Sequence, residues 1–105
     1  MKFILPAELK LKIEMHDPMQ IIDTRKAERY AIAHIQGAIS IPQLQLPDML
    51  DRVEKYNTVI IYCTYGSNSE MVYIYLKDKL KIKDLYILEG GIYKYAHDIE
   101  PSLEI

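Results

Sequence analysis

One residue in this 105-residue chain carries an obvious covalent chemistry, the lone cysteine Cys63. It closes the uncharged, β-branched and aromatic run Thr58-Val59-Ile60-Ile61-Tyr62. It opens a short polar segment, Thr64-Tyr65-Gly66-Ser67-Asn68-Ser69, that leads into an amphipathic stretch. The order is strand, cysteine, Gly-containing loop, helix. Backbone N–H groups of such a loop can turn toward the sulfur, Gly66 permits the tight backbone, and the helix start adds about half a positive charge. A thiolate is stabilised in such a place, and the thiolate is the nucleophile. The same amides can hold a second sulfur or an oxyanion. The competing reading is a buried cysteine that packs as a small hydrophobe. Position alone leaves the two readings balanced.

The rest of the composition narrows the setting. A single cysteine forms no internal disulfide and supplies no thiol-rich structural zinc site. Formal charge is −2, so no strong field favours nucleic acid or an anionic membrane, and neither is expected as a partner. No apolar run approaches the roughly 18 residues of a membrane span, and the start lacks the pattern of a secretory signal. With an unpaired thiol, a reducing cytoplasm is the expected location. Half of the residues are apolar and 27% are charged, an ordinary globular balance. The length suits one domain over 1–105, burying roughly 65% of the unfolded chain's surface.

Elements that could position Cys63 are legible as alternating patterns. Buried strands are expected at 19–23, 37–41, 58–62 and 84–88, with a short edge strand at 2–4. Helices are expected at 6–13, 26–34, 46–54, 69–80 and 93–97. The first starts on Pro6, which suits a first helical position. The helix at 26–34 places Ala27, Tyr30, Ala31 and His34 along one face. The helix at 69–80 places Val72, Leu76 and Leu80 along one face with Tyr73 beside them. Strands alternating with helices predict an α/β fold with a parallel sheet covered on both faces. Ligands in such sheets sit outside the carboxyl ends of the strands, where Cys63 falls.

Other residues with possible chemistry read more simply. Asp23 and Arg25 end a strand beside the cysteine edge and are expected to form a structural ion pair. Arg25 is also the best nearby cation for a substrate. His34 has the chemistry of a general base. His16 and His97 are expected at the surface. Tyr62, Tyr73, Tyr75 and Tyr86 read as core and core-edge packing, whereas Tyr65, inside the loop, is expected at the pocket mouth. Lys77, Lys79, Lys81 and Lys83 suit a helix C-terminus.

Five segments in order resemble the rhodanese family of sulfurtransferases. They are Pro6-Ala7-Glu8-Leu9; Ile21-Ile22-Asp23-Thr24-Arg25; Glu28-Arg29-Tyr30 with His34-Ile35-Gln36-Gly37-Ala38; Ile60-Ile61-Tyr62-Cys63 with Gly66 and Ser69; and Leu88-Glu89-Gly90-Gly91 with Tyr95. The resemblance implies a three-layer α/β/α fold with a mostly parallel five-stranded sheet. It implies that the Cys63 thiolate takes the outer sulfur of a donor as a persulfide. The loop from Thr64 through Tyr65, Gly66, Ser67 and Asn68 to Ser69 holds that persulfide until a thiol or cyanide accepts the sulfur. No metal and no organic cofactor is needed. The resemblance also assigns structural roles to His34 and to the Asp23–Arg25 pair.

Departures from the family pattern matter as much. Ala33 stands where the family usually has Gly, and Tyr95 where Trp is common. The loop has no Arg or Lys, whereas many members carry Arg there, and Glu70 follows directly. Weak thiosulfate affinity is therefore expected, with a small or protein-bound persulfide as the donor. A phosphatase or arsenate reductase of the Cys-x5-Arg type needs a guanidinium where this chain has Ser69. A rhodanese-like module that binds a partner without chemistry is the main alternative. A redox sensor is weaker, since no second cysteine can resolve a sulfenic acid.

Overall fold

The computed structural model describes all residues, 1–105. In chain order the elements are β1 (Phe3–Ile4), α1 (Pro6–Glu14), β2 (Gln20–Asp23), α2 (Ala27–Ile32), β3 (Ile39–Ser40), β4 (Val59–Tyr62), α3 (Ser67–Leu80), β5 (Leu85–Leu88) and α4 (Gly91–Asp98). Two 3-10 turns, Gln43–Asp48 and Leu50–Arg52, link β3 to β4. The five strands form one sheet in the order β1-β5-β4-β2-β3, and every pairing is parallel. The expected three-layer α/β/α architecture is present, with a sheet that is wholly parallel.

Side-chain alternation divides the core into two layers. On one face Ile22, Ile61, Val59 and Ile87 pack with Val72, Tyr73 and Leu76 of α3 and with Leu46 and Val53 of the 3-10 segment. On the other, Ile21, Ile60, Tyr62 and Leu88 pack with Leu9 of α1 and Ile92 and Tyr95 of α4. Every residue of β2 and β4 is buried, as expected of strands covered on both sides.

Several boundaries differ from the sequence expectation for identifiable reasons. The helix expected at 46–54 is replaced by the 3-10 turns. Pro47 has no N–H to donate and its ring crowds the preceding turn, and the segment closes instead through Met49 to Leu46, Arg52 to Met49 and Val53 to Leu50 bonds. α2 is six residues long and fully buries none of them; of the face expected from Ala27, Tyr30, Ala31 and His34, Tyr30 packs against the core while Ala27 and Ala31 are exposed and His34 lies beyond the helix end. Tyr30 and His34 do stack, with ring centroids 3.8 Å apart. β3 shrinks to two residues between Gly37, at φ +85°, and Pro42. Helices α3 and α4 begin two residues earlier than expected, each on a left-handed glycine, Gly66 and Gly90. Lys77 donates to the Ile82 carbonyl and so ties the end of α3 to the segment that follows it.

Two core tyrosines make the fold sensitive to alkali. Burial, reinforced by the neighbouring Asp23 charge, drives the Tyr62 phenol far above its ordinary value of 10. Burial, with Glu100 and Glu14 nearby, pushes Tyr95 up to about 12. Below pH 10 both phenols are neutral in the folded and unfolded chain. Above it the unfolded chain releases these protons while the folded chain holds them, so stability falls as pH rises from about 10 through about 12. Urea midpoints are expected to drop steadily over that window. A fraction of the tyrosinate absorbance at 295 nm is expected to appear only together with unfolding. A midpoint constant across the window would contradict the burial of these hydroxyls.

Candidate active site

The order of strands places β3 beyond β2 and β5 beyond β4, so the chain's progress across the sheet reverses between β2 and β4. Such a reversal leaves a crevice outside the carboxyl ends of the two strands. Thr24 and Arg25, directly after β2, and Cys63 and Thr64, directly after β4, line one open cleft of about 690 Å³ there.

The cysteine loop is held from two sides. Cys63 is only 5% exposed, and its sulfur accepts the Gly66 N–H at 3.0 Å. Gly66 adopts φ +104°, a left-handed conformation that a side chain would strain, and it caps α3. From the other side, the first-turn amides of α4 bind the loop carbonyls: Ile92 N–H donates to Cys63 O at 2.9 Å and Tyr93 N–H to Thr64 O at 3.0 Å. In planar trans peptides the N–H opposes the carbonyl. The Thr64 and Tyr65 amides therefore point away from α4. Gly91 makes this approach possible, because a Cβ there would stand 2.4 Å from Thr64 O and 2.5 Å from Cys63 O.

Beneath the loop lies a buried polar cluster. The Asp23 carboxylate is fully buried and receives Arg25 through Nε at 3.1 Å and through the terminal guanidinium nitrogen at 2.7 Å. It also accepts the Arg25 backbone N–H at 2.9 Å and the Tyr62 hydroxyl at 2.8 Å. Tyr62 in turn accepts the Ile35 N–H at 3.1 Å, and Arg25 donates to the Ala33 carbonyl at 2.6 Å. Burial alone would lower the Arg25 pKa, but the hydrogen bonds and charge of Asp23 outweigh it and hold the guanidinium above its usual value. Thr24 ties the two strand ends together, donating from both N–H and hydroxyl to the Tyr62 carbonyl at 3.0 and 2.9 Å. The structural ion pair expected of Asp23 and Arg25 is present. The Arg25 side chain is 4% exposed, so it meets the cleft as part of the wall and not as a free cation.

The structure brings together only some of the residues singled out in the loop. Cys63, Thr64 and Asn68 line the cleft with Arg25. Gly66 stands behind the sulfur. Tyr65 is displaced from the expected pocket mouth: it is exposed and packs on Tyr93 at 5.2 Å between ring centroids, outside the cleft lining. Ser67 is exposed, and Ser69 is fully buried with its hydroxyl unpartnered. Glu70 is exposed and does not line the cleft. His34 is also outside it, with Nδ1 donating to the Tyr30 carbonyl at 2.9 Å, which makes it a structural residue. Ala33 has φ −162°, extended backbone that does not require the usual glycine.

Sequence reasoning missed the opposite wall. Lys26, Glu28 and Arg29 line the cleft, as do Ile32, Gln43 and Leu44. Lys26 and Arg29 form no salt bridge. The available signal was their position, immediately after Thr24 and Arg25 at a strand's carboxyl end.

A model of the Rhodanese-like domain matches residues 5–98. The chain belongs to the rhodanese-like family. Among curated proteins it is 33% identical over 92 residues to "Adenylyltransferase and sulfurtransferase UBA4" of Saccharomyces cerevisiae, a match covering 78% of this chain and 21% of that protein. The chain thus spans about a fifth of the length of these curated relatives. Among solved structures, a rhodanese-like domain protein from Staphylococcus aureus is 34% identical with a TM-score of 0.84, covering 100% of this chain and 98% of that one. A Staphylococcus saprophyticus protein is 31% identical with a TM-score of 0.82 and full coverage of both chains. This rhodanese-like domain is therefore homologous to domains of named sulfurtransferases. No helix in it is long and apolar enough to cross a membrane.

The contact between Gly91 and the loop is open to direct test. A Cβ at Gly90 would meet the Lys94 side chain at Cδ and Cβ, 2.5 and 2.6 Å away, whereas one at Gly91 would meet only the backbone of Cys63 and Thr64, which also carries the α4 hydrogen bonds. Gly91→Ala is therefore expected to cost about 1–3 kcal/mol more than Gly90→Ala in urea unfolding. Equal losses would contradict the docking of α4 on the loop. Tyr62→Phe, which strips a donor from Asp23 and an acceptor from Ile35, is expected to cost about 1–3 kcal/mol by the same measurement.

Proposed function

We propose that this rhodanese-like domain transfers sulfane sulfur through a persulfide on Cys63. The observation that carries the proposal is the Cys63 sulfur at the cleft wall, bonded to the Gly66 N–H at 3.0 Å at the carboxyl end of β4. The thiolate attacks the outer sulfur of a donor, the donor's S–S bond breaks, and the donor's remaining group leaves with the bonding electrons. An amide-lined loop running from Thr64 to Ser69 then holds the terminal sulfur until an acceptor thiolate or cyanide attacks it. This is two-step covalent catalysis, and it uses no metal or organic cofactor. The curated relatives that carry sulfurtransferase in their names support the reading in kind.

Thiosulfate is a poor fit among donors. No cation stands within the loop, the Arg25 guanidinium is committed to Asp23, and the unpaired Lys26 and Arg29 stand on the opposite wall of the cleft rather than in the loop that holds the sulfur. A small persulfide or a protein-bound persulfide, which does not require two negative charges to be held beside the sulfur, fits better. A second reading, a partner-binding module without chemistry, draws on the 5% exposure of Cys63 and the apolar Ile32 and Leu44 at the cleft.

Intact mass spectrometry separates the two readings. Incubation with a persulfide donor is expected to add the mass of one sulfur atom. The gain should vanish in Cys63→Ala and on treatment with cyanide. No mass gain with any donor would remove the sulfur-transfer reading and leave the binding module. Steady-state assays with thiosulfate are expected to give a KM above about 1 mM. A KM well below that would contradict the weak-donor argument.

A further inference from the structure

The peptide between Tyr62 and Cys63 carries the backbone of the cysteine, and one side chain of the cleft wall bonds to it. Thr24 is 5% exposed and lines the cleft together with Cys63. Its backbone N–H and its hydroxyl both donate to the Tyr62 carbonyl, at 3.0 and 2.9 Å. The N–H bond continues the β2–β4 ladder beyond the Asp23–Tyr62 pair, and every residue but proline would make it. The hydroxyl bond is an addition that the sheet does not require, since valine or isoleucine would suit a buried strand end equally well. A carbonyl oxygen has two lone pairs, both close to the plane of its peptide. Donors on both of them fix that plane. The Cys63 Cα lies in the same plane, so the hydroxyl helps to set the point from which the sulfur projects.

The sulfur accepts one hydrogen bond, from the Gly66 N–H at 3.0 Å. The far end of Tyr62 is held by its hydroxyl, between Asp23 and Ile35. The Thr24 hydroxyl secures the near end, next to the cysteine. A carbonyl only accepts, so the Thr24 hydrogen is committed to it. Toward the cleft the Thr24 oxygen offers lone pairs alone, and it has no hydrogen left to give an anionic sulfur. Its effect passes through the Tyr62–Cys63 peptide.

We propose that Thr24 is a positioning residue, whose hydroxyl, acting through the Tyr62 carbonyl, holds the Cys63 sulfur on the Gly66 amide. The proposal rests on the sulfur-transfer reading where it concerns loading, and on the fold alone where it concerns the place of the sulfur.

Thr24→Val removes the hydroxyl and keeps the side-chain shape, whereas Thr24→Ser keeps the hydroxyl. Loading of Cys63 by the persulfide of 2-mercaptoethanol is followed over time by intact mass. In Thr24→Val the maximal loading rate is expected to fall about tenfold, less than the roughly hundredfold that a 1 Å misplacement of reacting groups can cost. The donor concentration giving half the maximal rate is expected to stay unchanged, because the donor does not bond to this hydroxyl. Without any donor, alkylation of Cys63 by iodoacetamide at one fixed pH is expected to slow in Thr24→Val, and the Gly66 amide proton to move upfield as its bond to sulfur weakens. Thr24→Ser is expected to return most of each effect. Urea unfolding checks that each variant is folded under the assay conditions, and Thr24→Ala takes the place of Thr24→Val if the valine variant is not. If wild type loads and the hydroxyl-free variant matches it in loading, alkylation and Gly66 shift, the positioning role is disproved and sulfur transfer stands. A loss that Thr24→Ser does not restore also disproves it, because the hydroxyl is then not the cause. If no protein loads while alkylation and the Gly66 shift still follow the hydroxyl, sulfur transfer fails and the positioning role stands.

Discussion

The buried Asp23 carboxylate is the group around which the cysteine end of the sheet is organised. A charge removed from water is tolerated only when it is paired and its remaining lone pairs are bonded. Asp23 meets that demand with the Arg25 guanidinium, the Arg25 amide and the Tyr62 hydroxyl. Each partner belongs to a segment that frames the cleft. Arg25 starts the wall after β2, Tyr62 immediately precedes Cys63, and Tyr62 and Arg25 reach Ile35 and Ala33 in the connection to β3. Removing one member of such a pair costs about 3–5 kcal/mol, because the other is left charged and buried. The cluster therefore fixes where β2 and β4 end relative to one another, and with them the place of the sulfur.

From that anchor the loop needs only two further constraints. Gly66 turns left-handed and aims its amide at the sulfur, and Gly91 lets α4 bind the carbonyls of Cys63 and Thr64. A loop whose amides are already oriented has little reorganisation to undergo when negative charge develops on sulfur. The same economy explains why Arg25 does not act as a free substrate cation. Its charge is spent on the frame, and the unpaired cations stand farther along the wall at Lys26 and Arg29.

Much of this was legible in the residues. The apolar runs at β2, β4 and β5 announce buried strands, and Cys63 at a strand end followed by Gly66 announces a tight loop around the sulfur, whose nucleophile and packing readings are balanced on position alone. The ion pair of Asp23 and Arg25 follows from their spacing at a strand end. Less legible was anything set by distant neighbours. Tyr65 sits in the loop sequence, but its partner Tyr93 lies in α4, and that contact takes it away from the cleft. The 46–54 stretch has helical spacing, yet Pro47 converts it into 3-10 turns. Lys26, Glu28 and Arg29 fall in a stretch read only as a helix, and the reversal of strand order between β2 and β4 is what makes them a wall of the cleft.

In the proposed chemistry the Thr64–Ser69 backbone cradles sulfur on Cys63. Amide proton and nitrogen NMR shifts, followed while a persulfide donor loads the protein, test it most directly. The largest changes are expected on the Gly66 amide and its loop neighbours, and cyanide is expected to reverse them. Loading that leaves the Gly66 amide unmoved, with the main changes elsewhere in the fold, would contradict it.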